Sequence, residues 1–378
     1  MLSLFGSWGW AVVGLPLLGA VAALSWWWWW WRGSPSAPRA ESLQRLPATA
    51  TATASATAGA EASPPDRKTL GRYRIDRSLG RGSMGTVYLG HDPDHGRAVA
   101  IKTLALSREF DAADLADARA RFLREAGTAA RLRHPDIVAV HEAGEDQGLV
   151  FIAMEYVQGH DLQRHTTPGS LLPVPVLLRI AARVALALAH AHTQGVVHRD
   201  VKPANVMIDL GSDTVKVADF GIASVTDATR TRTGVVLGTP SFMSPEQMSG
   251  ARIDGRSDLY ALGVLLFQGL TGELPHRAES MAELLRQIGF EPAPDVRTLR
   301  PELPEALADV LSMALAKRPD QRYANGQQMA RDLVAVADRL DAHAAPAPTQ
   351  GPPGPVGTDA FADIVEKTRV DPRHNAGH

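Results

Sequence analysis

The sequence predicts an α+β domain with a small β-rich first part and a larger helical second part. Strand-like alternation of apolar and polar residues recurs between residues 73 and 104. A helical pattern follows at about 112–132, and most patterns after Thr166 are helical as well. An apolar segment, residues 1–31, precedes the domain and contains no Asp, Glu, Lys, Arg or His. The chain therefore divides into a separate N-terminal segment and one compact α+β unit.

Composition excludes several classes of protein. The 378 residues are 45% hydrophobic and 21% charged, which is typical of a chain that buries a core. A net charge of −2 provides no overall field that would favour nucleic acid, so no nucleic-acid partner is expected. The chain has no cysteine, which excludes disulfides, thiol catalysis and cysteine-ligated zinc or iron–sulfur sites.

The N-terminal segment has the features of a membrane anchor. All eight tryptophans lie within residues 1–31, and six of them form the run Trp26 to Trp31. The apolar run Trp10 to Leu24 with its aromatic flanks suits a bilayer core and its interface. A signal peptide is disfavoured because no Lys or Arg precedes the run, and a buried core helix rarely ends in six tryptophans. A loose hydrophobic tail is the remaining alternative, and we expect a single transmembrane helix.

Charge and composition predict how the remaining segments are arranged. Arginines follow the apolar segment and none precedes it, which places the C-terminal side in the cytoplasm. Residues 32–70 are rich in Pro, Ala, Thr and Ser and are expected to be a disordered linker. The compact domain is expected over 71–340, and residues 341–378 are expected to be a flexible Pro/Ala-rich tail.

A glycine-rich motif opens the compact domain. The sequence LGRGSMGTVYLG carries G-x-G-x-x-G at Gly80, Gly82 and Gly85. Glycine lets a backbone approach phosphate oxygens, because no Cβ stands in the way. Dinucleotide-binding folds use the same pattern, but there a helix follows, whereas the strand-like TVYL follows here. The chain also lacks G-x-x-x-x-G-K-[ST], which disfavours a P-loop NTPase.

A lysine follows this loop in the apolar strand Val99–Ala100–Ile101–Lys102. Lysines in such strands often extend from an edge to water, but behind a glycine loop this ammonium can contact nucleotide phosphates. It then needs a carboxylate partner. Glu125 in the helical RFLREAGTAARL is the preferred candidate and Glu109 the weaker one, although an ordinary solvated Glu125 is the alternative.

Two further motifs supply the groups for phosphoryl transfer. VVHRDVKPANVMI fits H-R-D-x-x-x-x-N, in which Asp200 accepts the proton of a substrate hydroxyl and Asn205 offers an oxygen to magnesium. VADFG follows, with Asp219 as a magnesium ligand and Phe220 packed beneath it. The ordered set of motifs is far more specific than any one of them.

From about Tyr73 to Leu340 the chain resembles the eukaryotic-like (Hanks-type) Ser/Thr protein kinases of bacteria. The resemblance implies the bilobal protein kinase fold, with an N-lobe at about 71–154 and a C-lobe at about 158–340. It implies ATP and Mg²⁺ as cofactors and Ser/Thr-containing proteins as substrates. Together with the apolar segment, it implies a single-pass protein of the inner (cytoplasmic) membrane whose kinase domain faces the cytoplasm.

The resemblance also implies roles for particular residues. The hinge would be Met154–Glu155–Tyr156–Val157, with Met154 as the gatekeeper. The expected nucleotide contacts are Leu79, Gly80, Arg81, Gly82, Ser83, Met84, Gly85, Val87, Ala100, Lys102, Met154, Glu155, Val157, Asn205 and Asp219. The expected catalytic residues are Asp200, Lys202, Asn205, Lys102, Glu125 and Thr239. The expected structural residues are His198, Arg199, Phe220, Glu246, Asp258 and Arg322, of which Glu246 and Arg322 would form a buried ion pair.

Substrate class and regulation follow from the same resemblance. Lys202 and Thr239 match the Ser/Thr-specific pattern rather than the tyrosine-specific one. In the loop DATRTRTGVVLGT, Thr231 and Thr233 match the usual sites of activating phosphorylation, and a phosphate there would pair with Arg199. Crowding in the membrane or a homodimer would favour phosphorylation between copies.

Three alternatives compete with this reading. A pseudokinase scaffold is disfavoured because Lys102, Asp200, Asn205 and Asp219 are all present. A small-molecule phosphotransferase is disfavoured because the chain has a long activation segment ending in Ser-Pro-Glu. A binding module would compete only if the purified kinase domain failed to turn over ATP.

Overall fold

The computed structural model of the chain describes residues 68–82, 85–106, 110–220 and 240–344. These residues form the expected bilobal fold, with a β-sheet N-lobe and a helical C-lobe. The predicted transmembrane segment, most of the linker and the predicted tail beyond Ala344 lie outside the described residues.

The N-lobe is a six-stranded sheet whose strand order is β1-β2-β3-β4-β6-β5, with every neighbouring pair antiparallel. Its strands are β1 (Thr69–Leu70), β2 (Tyr73–Gly82), β3 (Gly85–Asp92), β4 (Arg97–Leu104), β5 (Val140–Asp146) and β6 (Leu149–Glu155). One face buries Leu70, Tyr73 and Phe151, with the rings of Tyr73 and Phe151 edge to face at 6.1 Å. Alternation of apolar and polar residues therefore produces the sheet that the sequence predicts.

The glycine loop lies between β2 and β3. A Cβ on Gly85 would lie 1.7 Å from the carbonyl oxygen of Thr103, so only glycine allows β3 to pass this close to β4. A Cβ on Gly80 would meet no atom within 4 Å, which leaves that side of the loop open. Gly85 is thus needed for the close approach of two strands, whereas Gly80 leaves open space beside the loop.

Helix α1 (Ala112–Ala129) packs on the other face of the sheet through Ala118, Phe122 and Ala126. These positions recur at helical spacing on one side, as expected for an amphipathic helix. Glu125 lies next to this buried stripe and is itself half-buried. The helix is thus placed to bring a carboxylate towards the cleft between the lobes.

The C-lobe is built around α2 (Val174–Thr193). Its other helices are α3 (Pro245–Met248), α4 (Gly255–Thr271), α5 (Met281–Phe290), α6 (Glu305–Ala314) and α7 (Gly326–Ala344). Helices α4 and α7 both pack on α2, and a Cβ on Gly326 would come within 2.1 Å of the Ala185 carbonyl oxygen. Among the described residues α2 alone is long and apolar enough to cross a membrane, but most of it is buried in the C-lobe core.

A small antiparallel sheet joins the region after the hinge to the catalytic loop. It consists of β7 (His160–Asp161), β8 (Val206–Asp209) and β9 (Thr214–Val217), in that order. Strand β8 begins directly after Asn205, and β9 ends just before Ala218 and Asp219. The two metal-ligand candidates are therefore attached to neighbouring strands of one sheet.

The domain edges differ slightly from the prediction. Leu70 on β1 is fully buried, so the folded unit begins before residue 71. At the other end, α7 runs on to Ala344, past the predicted end at 340. Two-residue strands and the last turn of a helix carry too little periodicity to be located from sequence.

Candidate active site

Several residues that the resemblance predicts as nucleotide contacts lie in or against one apolar cluster. In the β4–β6 pairing, Ala100 lies opposite Met154, and both side chains are buried. Val87, Val157 and Ala218 pack against the same cluster. A flat apolar ring such as adenine suits a slot of this kind.

The side chain of the hinge residue Glu155 forms hydrogen bonds with residues outside the hinge. The Oε2 atom of Glu155 accepts hydrogen bonds from the backbone N–H of Ala139 (3.2 Å) and from Nζ of Lys216 (2.9 Å). The Glu155 side chain is thus held by the residue before β5 and by Lys216 on β9. Sequence reasoning did not single out Lys216, since a lysine on a short strand carries no signal of its own.

The strand lysine meets the aspartate of the D-F-G motif. Nζ of Lys102 lies 2.7 Å from Oδ2 of Asp219, and both side chains are largely buried. Burial raises the pKa of Asp219, but the Lys102 ammonium outweighs burial and holds the net pKa below its usual value. Asp219 is therefore ionised at neutral pH. The backbone of Asp219 adopts a left-handed φ of 66°.

The expected pairing of Lys102 with Glu125 stays a prediction, and in this structure the Lys102 ammonium lies against Asp219. The two candidate carboxylates lie on different elements, since Glu125 is on α1 and Asp219 follows β9. Glu125 remains half-buried on the α1 face beside Phe122 and Ala126.

The catalytic loop brings three predicted residues together. Nζ of Lys202 lies 2.7 Å from Oδ2 of Asp200, and Nδ2 of Asn205 donates to the Asp200 backbone oxygen at 2.7 Å. The same Nδ2 is 3.1 Å from Asp200 Oδ2. Lysine and asparagine thus fix the Asp200 carboxylate, which is 42% exposed and so can be reached by a substrate hydroxyl.

Asp258 holds the backbone of the catalytic loop through hydrogen bonds. Its carboxylate accepts the backbone N–H groups of His198 and Arg199, each at 2.8 Å, and lies 2.7 Å from Nε2 of His192. Asp258 is 1% exposed, so these hydrogen bonds to a charged acceptor act in a water-poor environment where they are strong. His192 was not foreseen, because the H-x-x-x-x-x-H spacing to His198 matches no motif.

His198 links the loop to the D-F-G segment. Its Nε2 donates to the Ala218 carbonyl at 2.8 Å, and its Nδ1 accepts the Asp200 backbone N–H at 3.2 Å. These partners define a neutral ring protonated on Nε2. The ring also packs against Phe220 with a centroid distance of 4.6 Å. The residue therefore holds Asp200 and Asp219 in a fixed relation.

The expected Glu246–Arg322 pair is present and buried. Two hydrogen bonds of 2.6 and 2.8 Å join the guanidinium to the carboxylate, and Ser257 Oγ donates to Glu246 Oε1 at 2.6 Å. Arg322 also donates to the carbonyl oxygens of Ala316 and Lys317. Burial raises the Glu246 pKa, but the hydrogen bonds from Arg322 and Ser257 leave the net pKa below its ordinary value.

Several predicted residues lie outside the described ranges. These are the loop residues Ser83 and Met84, the candidate phosphorylation sites Thr231 and Thr233, and Thr239. Leu79 and Arg81 lie on β2 as expected at the loop edge. Gln247 was missed, although it completes a capping box on α3 that S-x-x-Q could have signalled.

The residues present fit a divalent metal ion and a nucleotide. Because the Asn205 amide nitrogen is committed to Asp200, its oxygen is left as a ligand, and Asp219 adds a carboxylate. Hard cations prefer such oxygen ligands. The described residues contain no group of three or more His, Asp or Glu side chains placed to hold a metal ion.

Comparison with known proteins agrees with this geometry. Residues 73–334 match the protein kinase domain family, and the chain belongs to that family. Similar sequences within this family include bacterial serine/threonine-protein kinases. The chain is 43% identical over 275 residues to the serine/threonine-protein kinase PknJ of Mycobacterium tuberculosis and 39% identical over 280 residues to the serine/threonine-protein kinase PrkC of Bacillus subtilis.

These matches cover 70% and 73% of this chain but only 45% and 42% of the two relatives, so the chain spans less than half of their length. Among solved structures, the Mycobacterium tuberculosis PknI kinase domain is similar, with a TM-score of 0.57 and 35% identity. The match covers 71% of this chain and 97% of that one. The chain is thus similar to bacterial Ser/Thr protein kinases in sequence and fold.

Proposed function

We propose that this protein transfers the γ-phosphoryl group of ATP to serine and threonine hydroxyls of proteins, and that it does so at the cytoplasmic membrane. The observation that carries the proposal is the arrangement of Asp200, Lys202 and Asn205 beside the Lys102–Asp219 pair. Each group needed for phosphoryl transfer has a counterpart in this arrangement.

Each residue has a chemical task in this proposal. Asp200 orients the attacking hydroxyl and accepts its proton, and the nearby Lys202 ammonium stabilises negative charge on the transferred group. Lys102 positions the nucleotide phosphates. Asn205 and Asp219 would hold a divalent ion, Mg²⁺ being the expected one, which when bound screens the phosphate charge. The apolar slot around Met154 orients the adenine.

Control by phosphorylation of the activation loop belongs to the same proposal. Nε of Arg199 is buried and has no hydrogen-bond partner among the described residues. An unpaired buried guanidinium nitrogen favours a nearby anion. A phosphate on Thr231 or Thr233 would supply one. If the double variant Thr231→Ala/Thr233→Ala turns over as fast as the wild type, this part of the proposal is wrong.

The membrane part is supported by the uncharged residues 1–31 and by the arginines that follow them. An anchor raises the local concentration of kinase domains and would speed phosphorylation between copies. The test compares loop phosphorylation of the full chain in vesicles with that of residues 65–378 at equal bulk concentration. Equal rates would remove the proposed effect of the anchor.

The central experiment is phosphate transfer from Mg-ATP to a generic basic protein and to the kinase itself. The Asp200→Asn variant is the control, because it keeps the shape of the side chain and removes the proton acceptor. We expect labelled serine and threonine with the wild type and a loss of at least about hundredfold with the variant. ATP binding without transfer by the wild type would instead support a scaffold.

A further inference from the structure

Gln247 touches two segments of the active site that the sequence treats separately. It follows Glu246 on α3, and its side chain is half-buried. Its Oε1 accepts the backbone N–H and the Oγ hydroxyl of Ser244, each at 3.0 Å. Its Nε2 donates to the backbone oxygen of Arg199 at 2.9 Å. One amide thus bridges the end of the activation segment and the catalytic loop.

The partners fix the orientation of this amide. A backbone N–H can only donate, so the atom facing Ser244 must be the oxygen. A backbone carbonyl can only accept, so the atom facing Arg199 must be the nitrogen. Rotating the amide by half a turn would break both contacts at once. Only a side chain with an acceptor and a donor on the same planar group can make this bridge.

The bridge ends at the residue that precedes the proposed base. Arg199 adopts a left-handed φ of 67°, which is unfavourable for a residue with a Cβ. Its N–H is held by Asp258 Oδ1 at 2.8 Å and its carbonyl by Gln247. The carbonyl of Arg199 belongs to the peptide unit that continues into Asp200. Fixing that peptide plane therefore fixes where the Asp200 side chain starts.

We propose that Gln247 is a positioning residue that holds Asp200 in its catalytic orientation through the Arg199 carbonyl. The inference rests on the proposed phosphoryl transfer, and Gln247 itself touches neither nucleotide nor substrate. The bridge also couples the α3 region, which is anchored by the Glu246–Arg322 pair, to the catalytic loop. A shift of the activation segment would thus reach Asp200 through one side chain.

The two functions of the amide can be separated by substitution. Glutamate at this position retains the oxygen that caps α3, since S-x-x-E and S-x-x-Q serve equally as capping boxes. It cannot donate to the Arg199 carbonyl, because an ionised carboxylate only accepts. Methionine has a similar length and makes neither contact. Gln247→Glu therefore tests the bridge alone, and Gln247→Met tests bridge and cap together.

The experiment uses the full chain, with activation-loop phosphorylation matched between variants by mass spectrometry. Steady-state kinetics with Mg-ATP and thermal unfolding are measured for each variant. We expect Gln247→Glu to lower kcat about tenfold, with KM for ATP within about twofold and Tm within about 2 °C of the wild type. Gln247→Met should show the same kcat with a lower Tm. Gln327→Glu, on the exposed first turn of α7, adds the same charge far from the site and should change neither.

Different outcomes contradict different claims. No transfer by the wild type itself would refute the proposed function rather than this inference. Transfer by the wild type with an unchanged kcat in Gln247→Glu would refute the positioning role. Parallel losses of kcat, ATP affinity and Tm would also refute it, because they indicate general damage. If Gln247→Glu does not fold, the test uses Gln247→Met instead. Its kcat is then calculated per molecule able to bind nucleotide, and a value equal to that of the wild type would overturn the inference.

Discussion

The buried pair Glu246–Arg322 permits a prediction whose size follows from its surroundings. The Arg322 side chain is fully buried, and its guanidinium donates to both carboxylate oxygens of Glu246 as well as to backbone carbonyls. Replacing Arg322 by methionine leaves the Glu246 carboxylate with the Ser257 hydroxyl and its own backbone N–H, neither of which carries a positive charge. Removal of one partner from a buried pair costs about 3–5 kcal/mol. At roughly 2–3 °C per kcal/mol for a domain of this size, Tm should fall by about 6–15 °C.

A matched control is available on the surface. Arg286 also bridges two carboxylates, those of Glu283 and Glu291, but its side chain is 51% exposed. Exposed pairs contribute about 0–1 kcal/mol, so Arg286→Met should barely change the unfolding free energy. The assay is denaturant and thermal unfolding of both variants. Equal destabilisation by the two substitutions would refute the argument that burial determines the cost.

The same pair predicts a pH dependence with a definite sign. The folded-state pKa of Glu246 is below its usual 4.5, so its contribution is complete above about pH 4.5 and is lost as pH falls through the folded pKa. The difference in stability between wild type and Arg322→Met should therefore be largest near neutral pH and shrink in acid. A double variant with Glu246→Leu and Arg322→Met should recover part of the loss, since no buried charge remains.

Three further predictions concern other side chains that can be charged, namely His276, Asp258 and Lys102. Burial, with the nearby Lys317 ammonium, lowers the pKa of His276 to about 4, so the wild type should lose about 3 kcal/mol between pH 6.5 and 4 through this group. In His276→Gln the free energy of unfolding should depend less on pH between 6.5 and 4. An unchanged pH dependence would contradict the prediction. Asp258→Asn weakens two backbone hydrogen bonds of the catalytic loop and should lower kcat about 10- to 100-fold, measured by steady-state kinetics; a wild-type kcat would exclude this support. Lys102→Met should reduce kcat/KM for ATP at least about hundredfold, whereas the exposed Lys68→Met should not, and equal values would contradict the phosphate role.

The motifs located the site better than they described its contacts. The order of the glycine loop, Lys102, Asp200 and Asp219 predicted one cleft, because each motif has a fixed place in the bilobal fold. The contact of Lys102 with Asp219 was not predicted, since sequence does not place the strand lysine relative to the D-F-G segment. Long-range partners such as Lys216 on Glu155 carry no local signal.

Other features were predictable for definite physical reasons. The Glu246–Arg322 pair could be expected from the resemblance to Hanks-type kinases, and the structure contains it as a buried pair. Asp258 could be expected as a support of the catalytic loop, but not as the acceptor of three separate groups. Gln247 could have been found from its capping box, although only the folded chain brings the Arg199 carbonyl within reach of its amide.

The burial of α2 has a consequence for synthesis of the chain. This helix is apolar enough to be taken for a membrane span, and its covering partner α7 is the last described helix, ending at Ala344. During translation α2 therefore leaves the ribosome long before the segment that shields it. A chain cut short before Gly326 would leave that face uncovered and prone to aggregation or to binding by chaperones. Helix α7 thus completes the burial of α2, and that face of α2 stays uncovered until residues 326–344 have been made.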